Sequence, residues 1–372
     1  MFPGVKTLRT ESVISQAAVK RLRRLLITIV SLALWGFGTH GTYAGTGDEP
    51  HYLAIAHSLA FDGDLDVRNN YGPLEPLVAG GNLLPEDHAR EAGGALRPVH
   101  DVGLPLLFAP VVRVLSPVVG WLSRSLPETV MRSAKLTPST LYRHALSLAM
   151  IALAALLAAL MFDALIALDA GAPRPERAAF ATTLLLMLSP PLLAYSTLFF
   201  TELVSALLAF YVFSRLVWRP VHNAAGWLAI GALAGSLLLV HVRNVGLVVG
   251  LAIVASTILL RQRRADAVWP FFGGLAAMAA LRTAITHHMW GTWVTTPHAA
   301  PGVWEGWKGT LELTGMRIVA LLVDQEYGLL IYAPVYALAF VGLVVVARPR
   351  RARSARRTSA PPAAPRGRSS RG

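Results

Sequence analysis

The stretch KRLRRLLITIVSLALWGFGTHGTYAGTGDEPHY, residues 20–52, sets four basic residues before a run (25–44) free of Asp, Glu, Lys and Arg, then places two adjacent carboxylates, Asp48 and Glu49, shortly behind it. A helix of about 20 residues rises about 30 Å, the depth of a bilayer's hydrocarbon core, so 25–44 reads as a membrane span. Basic residues ahead of a first span hold that end in the cytoplasm, which puts Asp48 at the outer exit. A signal peptide cut after Ala44 is the alternative, because Thr42-Tyr43-Ala44 loosely fits a small-residue cleavage site. The further spans downstream favour an uncleaved anchor.

Composition agrees with this reading. The 372 residues are 54% hydrophobic and 15% charged, whereas a soluble domain is about a quarter charged. The expected fold class is an all-α polytopic membrane protein. Its formal net charge of +13 suggests a nucleic-acid partner until the charges are located: residues 1–24 hold six Lys/Arg against Glu11, and 348–372 hold nine Arg and no acid, leaving the middle at −1. Basic ends flanking apolar spans suit anionic membrane lipid, and no basic surface remains for nucleic acid. The absence of cysteine excludes disulfides and thiolate metal sites.

Further apolar stretches of spanning length lie near 142–168, 178–199, 203–218, 224–241, 244–260, 267–286 and 328–347. Threaded from a cytoplasmic start, they put Arg174/Arg177, Arg215/Arg219, Arg261/Arg263/Arg264 and the arginine-rich tail inside. The junctions 200–202 and 241–244 and the loop 287–327 then fall outside, which satisfies the positive-inside rule at each short loop. The expectation is about eight spans with both termini cytoplasmic. Domains follow: a basic N-terminus (1–24), a transmembrane domain (25–347) whose first outer loop is 45–141, and a disordered Arg-rich tail (348–372). The apolar piece 103–122 carries Arg113 with Pro105, Pro110 and Pro117 and reads as a re-entrant or surface-lying helix, because a lone ninth crossing would put the arginine-rich tail outside; an ordinary broken span paired with a missed one is the alternative.

Within that outer loop, 45–103 holds ten acids against Arg68, Arg90 and Arg97. Behind Pro50, the residues Tyr52, Leu53, Ile55, Ala56, Leu59 and Ala60 recur at helical spacing, predicting a short amphipathic helix at the interface. Asp62-Gly63-Asp64-Leu65-Asp66 stops it with turn-forming residues. These aspartates imitate a calcium loop but lack its Gly at the sixth position and Glu at the twelfth, where Val67 and Pro73 stand. His287-His288 lacks the HExxH arrangement of a zinc site. No metal is expected.

Taken together, Gly47-Asp48-Glu49-Pro50-His51-Tyr52, Asp62 to Asp66 with Asn70-Tyr71, and His100 ahead of Gly103-Leu104-Pro105 resemble the first outer loop of the GT-C glycosyltransferases. That family includes the protein O-mannosyltransferases and the aminoarabinose transferases. The likeness continues in Tyr195-Ser196, Glu202, His241-Val242-Arg243, and Asp324 through Tyr327-Gly328-Leu329 to Tyr332-Ala333-Pro334, covering most of residues 25–340. The resemblance implies an enzyme that moves a sugar from a polyprenyl-phosphate-linked donor to an extracytoplasmic acceptor, without a bound cofactor. It makes Asp48 the general base and gives Glu49 an orienting or acceptor-binding role.

Sugar transfer from a lipid phosphate also needs cations to hold the leaving group, and a guanidinium makes paired hydrogen bonds to phosphate. Arg243 is the candidate, with His241, His287 and His288 behind it; snorkelling to the headgroups is the competing explanation. Arg282 faces the same choice, with an ion pair as a third option. His51, Tyr52, His100, Glu202, Asp324 and Tyr327 complete the expected substrate-binding set, although Glu202 could equally favour the start of its own helix. Trp290, Trp293, Trp304 and Trp307 suit an interface. Most relatives in the resembled family continue through more spans, so a protein partner supplying the missing part is expected, or the chain is an inactive remnant. A flippase or transporter component is the non-catalytic alternative, with Asp163 the main acid available to it. Abundant Ala, Arg, Leu and Pro suggest a GC-rich bacterial genome and hence a plasma membrane.

Overall fold

The computed structural model describes residues 16–37, 47–71, 85, 88–134, 136–168, 174–219, 221–293, 316, 319–323 and 329–347. Helix α1 (Gln16–Phe37) starts inside the basic segment, and α2 (Glu49–Phe61) follows Asp48. A 3-10 turn (Arg68–Asn70) leads to a hairpin of β1 (Ala89–Ala92) and β2 (Ala95–Pro98), antiparallel with Ala89 opposite Pro98. Then come α3 (Gly103–Ser125), α4 (Glu128–Ser133), α5 (Pro138–Leu168), α6 (Pro175–Met187), α7 (Leu192–Tyr195), α8 (Thr201–Val217), α9 (Ala224–Val240), a 3-10 turn (Val242–Asn244), α10 (Val245–Gln262) and α11 (Ala265–Trp290). The chain divides into two units, 1–306 and 307–372; the second contributes α12 (Leu329–Tyr332), a 3-10 turn (Pro334–Tyr336) and α13 (Ala337–Ala347).

Among the described residues, four helical stretches are long and apolar enough to cross a membrane: Gly103–Ser125, Pro138–Leu168, Val242–Gln262 and Ala265–Trp290. Several turn apolar side chains outward, such as Val114 at 74% exposure, Leu260 at 78% and Trp269 at 83%. Exposed large apolar side chains on helices of spanning length suit a bilayer, which covers them. The coarse class, an all-helical membrane protein, rests on these helices.

Three elements differ from the sequence expectation, each for a local reason. The piece 103–122 is one unbroken helix, α3, that continues through Pro110 and Pro117 and is of spanning length. Its Arg113 is not stranded: the guanidinium donates to Ala60 O at 3.1 Å and lies 4.7 Å from the Phe61 ring centre, so it caps the last turn of α2. The stretch 178–199 divides into α6 and α7 around Pro190-Pro191, where two residues lack an N–H to continue the ladder. The stretch 328–347 is interrupted by Pro334 for the same reason.

Helix α2 is also not an interfacial helix with one wet face. Glu49, His51, Tyr52, Leu53, Ala54, Ile55, Ala56 and Ser58 are all buried, because α3 covers one side and the 62–71 turn the other. The aspartates build that turn. Asp64 Oδ1 accepts from Ser58 Oγ and Asp66 N–H, each at 3.0 Å, while Asp66 Oδ1 accepts from Arg68 N–H at 3.2 Å and Leu96 N–H at 3.0 Å.

Two apolar cores hold unit 1. One joins α1, α2, α3, α5, α6 and the first turns of α8; the other joins the end of α8 to α9, α10 and α11. In the second, α9 and α11 cross at backbone distance: a Cβ on Gly231 would meet Phe271 O at 1.9 Å, and one on Gly274 would meet Leu228 O at 2.2 Å. Gly231 and Gly235 form the small-xxx-small pattern that permits such crossings in lipid. Charges gather by helix end. Arg23 and Arg219 both pair with Asp163, at 3.2 and 3.5 Å, near the C-terminal end of α8; Glu202 starts the same helix, about 25 Å away at 1.5 Å per residue.

Candidate active site

Asp48 is the N-cap residue of α2, yet its side chain makes no capping hydrogen bond. An Asp at this position ordinarily accepts from the first-turn N–H groups. Here the carboxylate turns to two histidines instead: His88 Nδ1 lies 3.8 Å from Oδ1, and His100 Nδ1 lies 3.9 Å from Oδ2. The hairpin delivers both rings, since residues 88 and 100 flank its two strands and Val99 N–H donates to His88 O at 3.0 Å. His88 Nδ1 and His100 Nε2 are 2.9 Å apart and share a hydrogen bond.

A second ring of groups fixes these three. His51 stacks on His88 with ring centres 3.7 Å apart, and its Nδ1 meets Tyr71 Oη at 2.8 Å. Burial first, then the neighbouring His88 and His100, depress the His51 pKa to about 3, so this ring is neutral at ordinary pH. The Tyr52 ring lies 4.9 Å from His100. Burial raises the Tyr52 pKa, the charges of Asp48, Glu202 and Asp101 raise it further, and a hydrogen bond with Thr201 opposes them. The charges that act on this phenol come from three separate segments of the chain. Glu49 is buried, and its Oε1 accepts the Phe199 N–H at 2.7 Å, which ties the start of α2 to the segment before α8.

Beside this cluster, Asp101 joins the ends of two further helices, α9 and α11. Its Oδ2 accepts Val242 N–H at 2.8 Å and lies 3.4 Å from His241 Nδ1; its Oδ1 lies 3.6 Å from Arg282 Nη2. Arg282 is thus in an ion pair, the third of its three expected roles, and it lines a small cavity with His100, Asp101, Thr286 and Trp290. Arg243 donates from Nε to His241 Nε2 at 3.1 Å, approaches Glu202 Oε1 at 3.6 Å, and remains 70% exposed. Gly103 makes this assembly possible, because a Cβ there would sit 2.4 Å from the Leu239 carbonyl carbon and oxygen. Only a glycine lets α3 start against the last turn of α9.

Of the expected site residues, Asp48, Glu49, His51, Tyr52, His100, Glu202, His241 and Arg243 meet through these contacts. Asp324 and Tyr327 lie outside the described residues, as do Trp304 and Trp307. His287 stacks on Trp293 with ring centres 3.9 Å apart. Sequence reasoning missed His88 and Asp101. Asp101 was visible as the acid following His100, whereas His88 is joined to the site only by hairpin register. Comparison with family models, curated proteins and solved structures finds no match for this chain.

Proposed function

We propose that the chain is a membrane glycosyltransferase of GT-C type, moving a sugar from a polyprenyl-phosphate donor to an extracytoplasmic acceptor. In this reading the helices make about eight crossings of a bacterial plasma membrane, both termini are cytoplasmic, and the Asp48 cluster faces outward. The supporting observation is the set of paired acids and cations at these helix ends: Arg243 lies 3.6 Å from Glu202 and Arg282 3.6 Å from Asp101, with Asp48 held beside His88 and His100. Carboxylates suit a hydroxyl acceptor, and guanidinium groups suit a phosphate leaving group.

The steps follow from those roles. Asp48 takes the proton of the acceptor hydroxyl as that oxygen bonds to the anomeric carbon. The bond from that carbon to the phosphate oxygen breaks, and its electron pair leaves on the polyprenyl phosphate. In this reading Arg243, 70% exposed at the surface beside Glu202 and His241, swings onto that phosphate, while Arg282 is 15% exposed against Asp101. The transporter alternative is weakened by Asp163, which two arginines already neutralise.

Purified protein in liposomes, given labelled lipid-linked sugars and acceptor fractions from the outer membrane face, is expected to transfer label. Asp48→Asn should abolish transfer while the protein remains monodisperse. Full activity in that variant removes Asp48 from the mechanism.

A further inference from the structure

We propose that Asp48, His88 and His100 form a binding site for a zinc-like divalent transition-metal ion. One donor atom from each of these side chains lies within 4.8 Å of the other two. A tetrahedral ion with ligands at about 2.0–2.2 Å holds its donors roughly 3.3–3.5 Å apart. Around His88 Nδ1, the distances of 2.9 Å to His100 Nε2 and 3.8 Å to Asp48 Oδ1 bracket that spacing. Small rotations of two imidazoles suffice to seat an ion.

A plain hydrogen-bonded relay accounts for the geometry less well. Such a relay would draw the imidazole nitrogens to about 2.7–2.9 Å from the carboxylate, the length of charge-assisted bonds. The observed contacts to Asp48 are both about 1 Å longer, leaving a gap between one anionic and two nitrogen donors. Asp48 is also withheld from the capping bond its position offers. The donors are pre-placed by separate supports: the α2 backbone with Glu49 anchored on Phe199 N–H, the hairpin register, and the His51 ring stacked on His88. Supporting groups of this kind orient metal ligands.

The donor set decides the ion class. Two imidazoles with one carboxylate suit zinc, iron or cobalt, whereas calcium and magnesium take oxygen donors. His100 is buried, while His88 and Asp48 are 28% and 34% exposed, so the ion's remaining position opens toward solvent. That position would take an oxygen of water, a hydroxyl or a phosphate. The inference stands whether or not sugar transfer occurs.

The test uses the full chain, stripped with chelator, freed of any affinity tag and titrated with Zn²⁺, with Co²⁺ absorption reporting coordination. Wild type is expected to retain one equivalent of zinc after gel filtration and to give an intense tetrahedral Co²⁺ spectrum. His88→Ala, His100→Ala and Asp48→Asn should each weaken binding at least tenfold, and His222→Ala, at an exposed histidine, should not. Stripped wild type that fails to rebind micromolar Zn²⁺, or that binds it no better than the His88→Ala/His100→Ala double variant, overturns the proposal. The wild-type titration decides this even if a variant does not fold. Zinc binding without sugar transfer would leave this site standing and remove the transferase reading; sugar transfer by protein that fails to bind Zn²⁺ in the titration would do the reverse.

Discussion

Replacing Asp101 should uncouple the segment between the hairpin and α3 from the helix ends it joins, and the size of the effect follows from the ion pair. Asp101 Oδ1 and Arg282 Nη2 are 3.6 Å apart, with side-chain exposures of 17% and 15%. Two unit charges at that distance attract by about 4–5 kcal/mol at an effective dielectric near 20. Desolvation of both groups offsets much of this, leaving a coupling of about 1.5–3 kcal/mol. The two single substitutions are unequal. Arg282→Met leaves Asp101 with Val242 N–H and His241, whereas Asp101→Asn leaves Arg282 charged, with an Nε already buried and without a hydrogen-bond partner among the described residues. Asp101→Asn should therefore cost about 2–3 kcal/mol and Arg282→Met less, and the double variant should cost less than the sum. Equilibrium unfolding in mixed micelles, followed by tryptophan fluorescence, measures all three. Single effects that add within about 0.3–0.5 kcal/mol would refute the coupling.

Gly103→Ala should lower stability by about 1–3 kcal/mol, because its Cβ would meet the Leu239 carbonyl at 2.4 Å; Gly250→Ala, where nothing lies within 4 Å, should be neutral or stabilising in a thermal-shift comparison. Glu49→Ala should cost about 1–3 kcal/mol by leaving the buried Phe199 N–H unpaired, and Glu49→Gln, which keeps an acceptor, should cost less in the same assay. Burial holds the His57 pKa below its ordinary value of 6.5, with Asp62 partly opposing that shift. The unfolded chain thus binds a proton there before the folded chain does, so this residue's contribution is complete above pH 6.5 and is lost as pH falls through and below it. His57→Gln should flatten the acid side of the stability profile, measured by denaturant midpoint against pH.

The helices were legible because length and apolarity alone specify them: α5, α8, α9, α10 and α11 lie close to their expected limits. Breaks were less legible. Pro190-Pro191 and Pro334 stop helices, yet α3 continues through Pro110 and Pro117, packed along α2. The site was legible where residues adjoin α2 in sequence, as with Asp48, Glu49, His51 and Tyr52. Glu202, His241 and Arg243 could be placed as helix-end residues, but their partners could not. His88 reaches Asp48 through a hairpin flanked by turns, and Asp101 binds residues 140 to 181 positions away; contacts of that range leave no periodic signal. The burial of α2 was hidden for a related reason, since its covering turn and hairpin are polar in sequence.

The account depends on the Asp48 cluster lying on the membrane face opposite the arginine-rich turns. The chain has no cysteine, so single introduced thiols report sidedness without background. Asn69→Cys sits on the exposed turn that follows α2, and Gln262→Cys at the exposed C-terminal end of α10. A membrane-impermeant maleimide applied to intact cells should label the first, and should label the second only after permeabilisation. Labelling of Gln262→Cys in intact cells, with Asn69→Cys protected until the membrane is opened, would contradict the account.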